Sequence, residues 1–194
     1  NPRIDAALLA WQAGMEGGLA IADILCGDVN PSGKLVDTCA KAFEDYPSSE
    51  LFHECDDYAR YTEDIYVGYR YFETFRPEAV VYPFGFGLGY TTFSISNQAA
   101  SLDKNTVHLA VRVKNTGSHP GKEVIQAYLT APQGKLGKAK KVLCAFQKTM
   151  ELAPGQSQDV KLSFDIREFG SFDDLGKVKE SAFILEQGTY TVSV

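Results

Sequence analysis

Three pairs of adjacent acidic residues are the candidates for general acid–base chemistry in this sequence: Asp56 with Asp57, Glu63 with Asp64, and Asp173 with Asp174. Cleavage of a glycosidic bond, for example, needs two carboxyl groups that flank the bond, and the general acid must be sheltered so that its pKa rises. Adjacent residues on an extended strand point to opposite faces, and a loop pair such as Asp173 and Asp174 is expected to be solvated. The sequence alone therefore predicts no catalytic dyad.

The other residues that could do chemistry are few. The histidines His53, His108 and His119 have no partner at a metal-binding spacing and are predicted to lie on the surface. No GxSxG motif occurs, and the glycine-rich stretch FGFGLG lacks the strand-to-helix context of a nucleotide-binding loop. We therefore expect no catalytic, substrate-binding or metal-binding residue in this chain, and no cofactor.

Four lysines lie close together in the stretch KLGKAKK: Lys135, Lys138, Lys140 and Lys141. Such a run could bind a phosphate or the acidic residues of a partner. Charge runs of this kind usually form a solvated loop, however, and that is the prediction here.

Composition indicates a globular protein with a substantial core, because 44% of the 194 residues are hydrophobic and 23% are charged. The net charge of −6 disfavours nucleic acid as a partner, since affinity for nucleic acid rests on basic contacts to phosphates. No apolar run approaches the roughly 20 residues of a membrane span, so no membrane partner is expected.

The four cysteines, Cys26, Cys39, Cys55 and Cys144, form no CxxC pair. We predict free thiols in a reducing compartment, which favours a cytoplasmic location. One disulfide between two of the first three is the alternative. Secretion stays open as well, because the sequence begins without a methionine.

Two helices are predicted at the N-terminus. In the first, Asn1 and Pro2 suit the start, and Ile4, Leu8 and Trp11 recur at helical spacing until Gly14. The second runs from about Met15 to a stop at Gly27, with its inward side chains expected to be Leu19, Ile21, Ile24 and Leu25. The stretch GDVNPSGKL then predicts a turn.

Aromatic rings are concentrated in YTEDIYVGYRYF, residues 61–72, and recur in RPEAVVYPFGFGLGYTTF. Rings beside carboxylates are typical of a sugar-binding groove, but they are also typical of a chain that is pressed between two domains. Large rings are usually buried. We therefore predict a packed connector whose rings lie at a domain seam.

From Thr92 onward apolar residues alternate with polar ones, as in Val107, Leu109, Val111 and Val113. About seven short strands are predicted over roughly 100 residues, the number expected of an immunoglobulin-like sandwich. Because the cysteine–tryptophan–cysteine signature of antibody domains is absent, a fibronectin type III-like sandwich is favoured. Phe93 and Phe164 fall in the inward phase.

Five blocks of this sequence, in this order, resemble glycoside hydrolase family 3: AWQAGMEGGLAIADILCGDVNPSGKL, YTEDIYVGYRYF, YPFGFGLGYTTF, VKNTGSHPGKEVIQAYL and LAPGQSQDVKLSF. The closing stretch resembles the β-glucosidases of gut and rumen Firmicutes. The resemblance implies a mainly β chain: a complete fibronectin type III-like β-sandwich, residues 91–194, preceded by a partial α/β-sandwich segment, residues 1–58, and an aromatic-rich connector, residues 59–90.

The resemblance also implies a function for the whole enzyme, which is hydrolysis of terminal β-linked glucose with retention of configuration. It places the nucleophilic aspartate on a barrel domain and the acid/base glutamate in the α/β-sandwich, both outside this sequence. This chain is then a structural portion that is inactive alone. Its expected partners are the barrel, the rest of the α/β-sandwich and possible further copies of itself, and β-glucosides bind only in the whole enzyme. Glu63, Asp64 and Arg70 are the connector residues that could approach the substrate entrance.

Two alternatives of another class remain at this stage. A free-standing carbohydrate-binding module requires an exposed aromatic platform on one face of the sandwich. An adhesion-type module requires a self-sufficient domain without additional helices. The identity of the β-glycoside is not readable from these residues.

Overall fold

The computed structural model describes residues 3–194, and its N-terminal part departs from the sequence-based prediction. The cap predicted at Asn1 and Pro2 lies outside the described residues. Residues 4–14 are irregular, so the helix predicted from Ile4, Leu8 and Trp11 is wrong. All three side chains are exposed, and an amphipathic segment of this length is only marginally helical in water when its apolar face packs on nothing.

The second predicted helix is confirmed as α1, Gly17–Cys26. It ends at Gly27, which adopts the left-handed conformation with a φ of 86°, and glycine does so without the steric penalty of a Cβ. Leu19 and Leu25 were predicted to point inward but are exposed. That part of the prediction is wrong because only one side of α1 packs against the described residues.

Short elements lead from α1 to the sandwich. They are β1 (Cys39–Ala40), the 3-10 turns Phe43–Asp45 and Ser49–Leu51, helix α2 (Tyr69–Phe75), the 3-10 turn Pro77–Ala79 and β2 (Val80–Tyr82). β1 and β2 pair antiparallel. Sequence analysis did not predict α2 inside the connector. Among the described residues, no helix has the length and apolar character needed to cross a membrane.

The rest of the chain is the predicted β-sandwich. Its strands are β3 (Phe93–Asp103), β4 (Thr106–Asn115), β5 (Val124–Thr130), β6 (Val142–Lys148), β7 (Ser157–Asp165), β8 (Ser171–Asp173), β9 (Ala182–Ile184) and β10 (Thr191–Ser193), with the 3-10 turn Ile166–Phe169 before β8. One sheet has the order β3-β4-β7 and the other β10-β5-β6, while β8 and β9 form a separate hairpin. About seven strands were predicted for this region, and the structure has eight, six of them in the two main sheets.

The core lies between the two main sheets. It contains alternate residues of the central strands, among them Val111 and Val113 of β4 and Ile125 and Ala127 of β5. Phe164 is buried and Phe93 packs against the same cluster, which confirms the inward phase predicted for both rings. The period-two pattern that predicted these strands is therefore the pattern of their burial.

Candidate functional site

Asn115 is the centre of a hydrogen-bond network where the N-terminal half of the chain meets the sandwich. We call the contacts between residues 24–91 and the sandwich, together with the contacts within residues 24–91 that accompany them, the seam. The side chain of Asn115 is fully buried. Its Nδ2 donates to the carbonyl oxygens of His119 and Leu152, both at 2.8 Å, and its Oδ1 accepts from Thr91 Oγ1 at 2.7 Å. Its Oδ1 also accepts from the backbone N–H of Gly117 at 3.0 Å, so the buried amide is fully satisfied.

A second asparagine, Asn30 in the predicted turn after α1, ties that turn to the sandwich. Its Nδ2 donates to the carbonyl oxygen of Pro120 at 2.8 Å, and its Oδ1 accepts from the N–H of Tyr90 at 2.8 Å. A Cβ at Gly121 would lie 2.6 Å from Asn30 Nδ2. The close approach therefore requires glycine at that position.

Charge and backbone pairing extend the seam. Lys34 Nζ lies 2.7 Å from Glu123 Oε1 and donates to the carbonyl oxygen of Gly87 at 3.1 Å. The N–H of Leu35 donates to the carbonyl oxygen of Phe86 at 2.7 Å, and the N–H of Gly85 donates back to the carbonyl oxygen of Leu35 at 2.8 Å. The stretch around FGFGLG is therefore held on both sides, which supports the packing interpretation over a nucleotide-binding loop.

The aromatic rings of the connector meet the sandwich at the same seam. Tyr69 of α2 stacks on Phe84 with ring centroids 4.4 Å apart, and it meets Tyr128 of β5 edge-on at 6.3 Å. Tyr69 Oη accepts from the N–H of Leu143 at 2.9 Å. Burial, with Tyr69 and Glu73 nearby, raises the pKa of Tyr128 to about 12. The predicted seam packing is thus confirmed for Tyr69 and Phe84, whereas it is wrong for Tyr61, which is 98% exposed.

The basic run is not the uniformly solvated loop that was predicted. Lys138 is buried and its Nζ donates to Ser171 Oγ at 2.6 Å, and burial lowers its pKa although Glu186 opposes this. Lys141 is half-buried, 3.0 Å from Glu73 Oε1 and 4.7 Å from the ring centroid of Tyr128. Both lysines serve packing within the chain. Lys135 and Lys140 are exposed as predicted.

Asp173 corrects a second prediction, because its side chain is buried rather than solvated. It accepts from the backbone N–H groups of Lys177, Val178 and Lys179 at 3.0, 2.6 and 2.8 Å. Burial alone would raise its pKa, but the donors outweigh burial and hold the pKa of Asp173 below its ordinary value. A carboxyl group bound in this way stays ionised at neutral pH, which is the opposite of what a general acid needs.

Because folding lowers the pKa of Asp173, this residue should make the stability of the chain depend on pH in the acid range. The folded pKa lies below the unfolded one, so its contribution is present above about pH 4 and is lost as the pH falls through the folded pKa. We expect Asp173→Asn to be less stable than the wild type at neutral pH and less sensitive to pH below about 4. Urea unfolding at a series of pH values measures both effects.

The exposed neighbour Asp174 provides the matched control for this prediction. Asp174→Asn should leave both the stability at neutral pH and its acid dependence unchanged. An Asp173→Asn variant with the same acid dependence as the wild type would show that Asp173 does not carry it.

The remaining candidates are not assembled into a catalytic centre. Asp56, Asp57 and Asp64 are exposed, and Glu63 is half-buried. The predicted surface positions of the three histidines are confirmed, and all four cysteines are free thiols, so the alternative of an early disulfide is wrong. Within residues 3–194, no group of three or more histidine, cysteine or acidic side chains is arranged to hold a metal ion.

Arg70, the third connector candidate, has a different environment. Its Nε is buried and has no hydrogen-bond acceptor among the residues that the structure describes. Its guanidinium carbon lies 5.9 Å from the ring centroid of its neighbour Tyr69. The structure therefore does not join Arg70 to Glu63 or Asp64 as one binding group.

The sandwich does carry one exposed pair of aromatic rings, on the β8–β9 hairpin. Phe172 and Phe183 are cross-strand neighbours with ring centroids 5.2 Å apart. The two ring planes are tilted by 58°, so the rings do not lie side by side in one plane on which a sugar could stack. The flat platform that a carbohydrate-binding module requires is not formed by this pair.

In contrast to the packed residues of the seam, a set of large apolar side chains at the N-terminus is exposed. We call it the N-terminal apolar set, and its exposed members are Ile4, Leu8, Leu9, Trp11, Met15, Leu19 and Leu25. Trp11, the only tryptophan of the chain, is 64% exposed. Concentrated apolar exposure of this kind marks an interaction surface. Sequence analysis named Ile4, Leu8, Trp11, Leu19 and Leu25 by their helical spacing, and it predicted that Leu19 and Leu25 point inward.

Comparison with known proteins shows which protein families and which enzymes this chain resembles. Residues 1–90 match the model of the glycosyl hydrolase family 3 C-terminal domain, and residues 123–194 match that of the fibronectin type III-like domain. Beta-glucosidase A of Butyrivibrio fibrisolvens is 54% identical over 98% of this chain and 25% of its own length. A beta-glucosidase of Ruminococcus albus is 48% identical over 96% of this chain and 20% of its own length.

Solved structures agree with this match. The structure of a beta-glucosidase from Paenibacillus barengoltzii matches this chain with a TM-score of 0.90 and 49% identity, and the match covers 94% of this chain and 20% of the beta-glucosidase. Beta-glucosidase 3B from Thermotoga neapolitana, in complex with alpha-D-glucose, covers 85% of this chain and 23% of its own, with a TM-score of 0.79 and 46% identity. The chain thus spans about a quarter or less of these relatives.

Proposed function

This chain belongs to glycosyl hydrolase family 3, and from that premise we propose that it is the structural portion of a larger β-glucosidase. The longer polypeptide, which we call the parent, would hydrolyse terminal β-D-glucosyl residues with retention. The partners of this chain are then the barrel and the rest of the α/β-sandwich of the parent. The observation that supports the proposal is that the seam contacts are formed within this chain, whereas the large apolar side chains of the N-terminal apolar set are exposed.

The seam supports the structural role. Asn30, Lys34 and Tyr69 connect the N-terminal half to the sandwich by hydrogen bonds, an ion pair and an edge-on ring contact. The hydrogen bonds of Asn30 and Tyr69 link positions that lie 90 and 74 residues apart in the sequence, so they fix the two halves relative to each other. A rigid unit of this kind can hold adjoining domains in place.

The chemistry of the described residues supports a division of labour. Retaining glycosidases use two carboxyl groups about 5–5.5 Å apart, one of them with a raised pKa. The buried carboxylate of this chain, Asp173, has a lowered pKa and is bound by backbone N–H groups of its own hairpin. We therefore assign the nucleophile and the acid/base residue to other domains of the parent. The domain division at residues 58 and 90 stays a prediction.

Amide hydrogen exchange tests the docking role. In the 194-residue chain, we expect the irregular residues 4–14 to exchange rapidly, because their backbone has few partners. In the parent, docking of the N-terminal apolar set should slow exchange in this segment by at least tenfold. The exposed turn at Asn105 serves as the internal reference, since it should exchange alike in both proteins. Equal exchange of residues 4–14 in the two proteins would contradict the proposal.

A further inference from the structure

Arg70 of α2 differs from four other arginines of this chain in having no ion pair within the described residues. The side chains of those four are 41–67% exposed, and each nevertheless pairs with a carboxylate; they are Arg60, Arg76, Arg112 and Arg167. Arg70 is half-buried, and its Nε is buried without a hydrogen-bond acceptor. Because burial removes water from a charged group, an unpaired charge costs more there than at the surface. The chain therefore leaves unpaired an arginine whose environment favours a partner.

The acidic residues that lie near Arg70 in the sequence do not supply this partner. Glu73, one turn later on α2, pairs with Lys141 at 3.0 Å. Glu63 and Asp64 precede α2, and the structure joins neither of them to the guanidinium of Arg70. Within the part of the chain that the structure describes, the buried Nε of Arg70 thus has no acceptor.

α2 holds Arg70 in a fixed place. The N–H of Arg70 donates to the carbonyl oxygen of Val67 at 3.2 Å, and its carbonyl oxygen accepts from Thr74 Oγ1 at 2.6 Å. Its neighbour Tyr69 is anchored on the sandwich by the N–H of Leu143. The guanidinium carbon lies 5.9 Å from the ring centroid of Tyr69, near the outer limit of about 6 Å for a cation–π contact, so this ring attracts the cation weakly. Arg70 is therefore presented by a rigid element, which lowers the entropic cost of binding an acceptor.

The residues around Arg70 have the composition of a protein interface. Large apolar or aromatic side chains on either side of it in the sequence are exposed, namely Tyr61, Ile65, Val67 and Phe75. Arginine and aromatic residues are enriched at interfaces, where an arginine often forms a central contact. Lys140, whose N–H donates to Thr74 Oγ1 of α2, is exposed and adds a second positive charge. An acidic group on a protein surface fits this combination better than a small free anion does.

We propose that Arg70 binds a carboxylate side chain of the parent that lies outside these 194 residues, and that this ion pair anchors α2 to an adjoining domain. The carboxylate would neutralise the half-buried charge, and a bidentate approach along the Nε edge of the guanidinium would give the buried donor its acceptor. The inference rests on the proposed function in taking the chain as part of a larger polypeptide, since it spans 25% and 20% of its two relatives.

Cross-linking of the parent with a carbodiimide tests this inference, because the reagent joins an amine to a contacting carboxyl group as an amide. Arg70→Lys keeps the positive charge and supplies the amine. We expect mass spectrometry of the digested parent to find position 70 joined to an aspartate or glutamate outside the 194 residues. The matched control is Arg112→Lys, since Arg112 Nε lies 2.7 Å from Asp159 Oδ1, and this variant should cross-link to Asp159.

Arg70→Met provides a second measurement, because it keeps most of the apolar stem and removes the charge. In the 194-residue chain the substitution breaks no ion pair, so the urea midpoint of unfolding should not fall. In the parent the midpoint should fall by about 1 M, since the carboxylate is left without its cation. Arg112→Met removes an exposed ion pair of the sandwich and should have a small effect in both proteins.

Several results would overturn the inference. One is a cross-link from position 70 to a carboxyl group within the 194 residues or to a second copy of the parent, which a mixture of isotopically light and heavy parent distinguishes. Another is no cross-link from position 70 while Arg112→Lys reaches Asp159. An equal fall of the urea midpoint in chain and parent on Arg70→Met is a third. These readouts concern position 70, whereas the docking role is tested at residues 4–14, so the two can fail separately.

Discussion

Replacing Asn115 by alanine is expected to lower the free energy of unfolding by about 3 kcal/mol, because it removes the four hydrogen bonds of a buried amide and leaves two of its neighbours without partners. Thr91 Oγ1 and the N–H of Gly117 lose their acceptor, whereas the carbonyl oxygen of Leu152 loses one donor and keeps the N–H of Gly121. The hydrogen bonds that are lost lie where the seam meets the core of the sandwich. Urea unfolding followed by circular dichroism measures it.

Asn105→Ala is the control for this variant, because Asn105 lies in the β3–β4 turn and is exposed. Its stability should stay within about 0.5 kcal/mol of the wild type, as is usual for surface substitutions. If Asn115→Ala were as mild as the control, the network around Asn115 would not hold the two halves together.

Replacing Trp11 by aspartate should have a large effect in the parent and almost none in this chain. In the 194-residue chain Trp11 is 64% exposed, so the substitution should change the free energy of unfolding by less than about 0.5 kcal/mol. In the parent, where we propose that Trp11 is buried against another domain, loss of the ring should cost about 3–5 kcal/mol, and the buried charge adds to that. Urea unfolding of both proteins, each with and without the substitution, measures the contrast.

Two further variants separate docking from a general effect of charge. Trp11→Phe keeps most of the apolar area and should retain most of the stability of the parent. Met150→Asp places a charge at a site on the sandwich that is 74% exposed, and should be mild in both proteins. Equal effects of Trp11→Asp in the chain and in the parent would contradict docking through this residue.

Local patterns were sufficient to predict much of this fold. The strands β4, β5 and β7 follow from strict alternation of apolar and polar residues, since alternate side chains of a strand point to opposite faces. The end of α1 follows from Gly27, whose left-handed conformation favours glycine. These features depend on residues a few positions apart, which a single sequence displays.

Features that depend on distant partners could not be predicted in this way. The helical periodicity of Ile4, Leu8 and Trp11 gave no helix, because helices of this length depend on tertiary packing. Lys138 was expected in solvent, yet Ser171, 33 positions later, accepts its hydrogen bond. Asp173 was also expected in solvent, but its own hairpin turns three N–H groups toward it. Residue types were visible in the sequence, whereas their partners were not.

The central claim is that this chain is a structural portion whose parent carries the chemistry. Hydrolysis of p-nitrophenyl-β-glucoside by the purified 194-residue chain, with the parent assayed beside it under the same conditions, tests that claim most directly. We predict turnover by the parent and none by the chain above the rate of the buffer. Turnover by the chain alone would contradict the account and would return the acidic pairs of this sequence to the list of catalytic candidates.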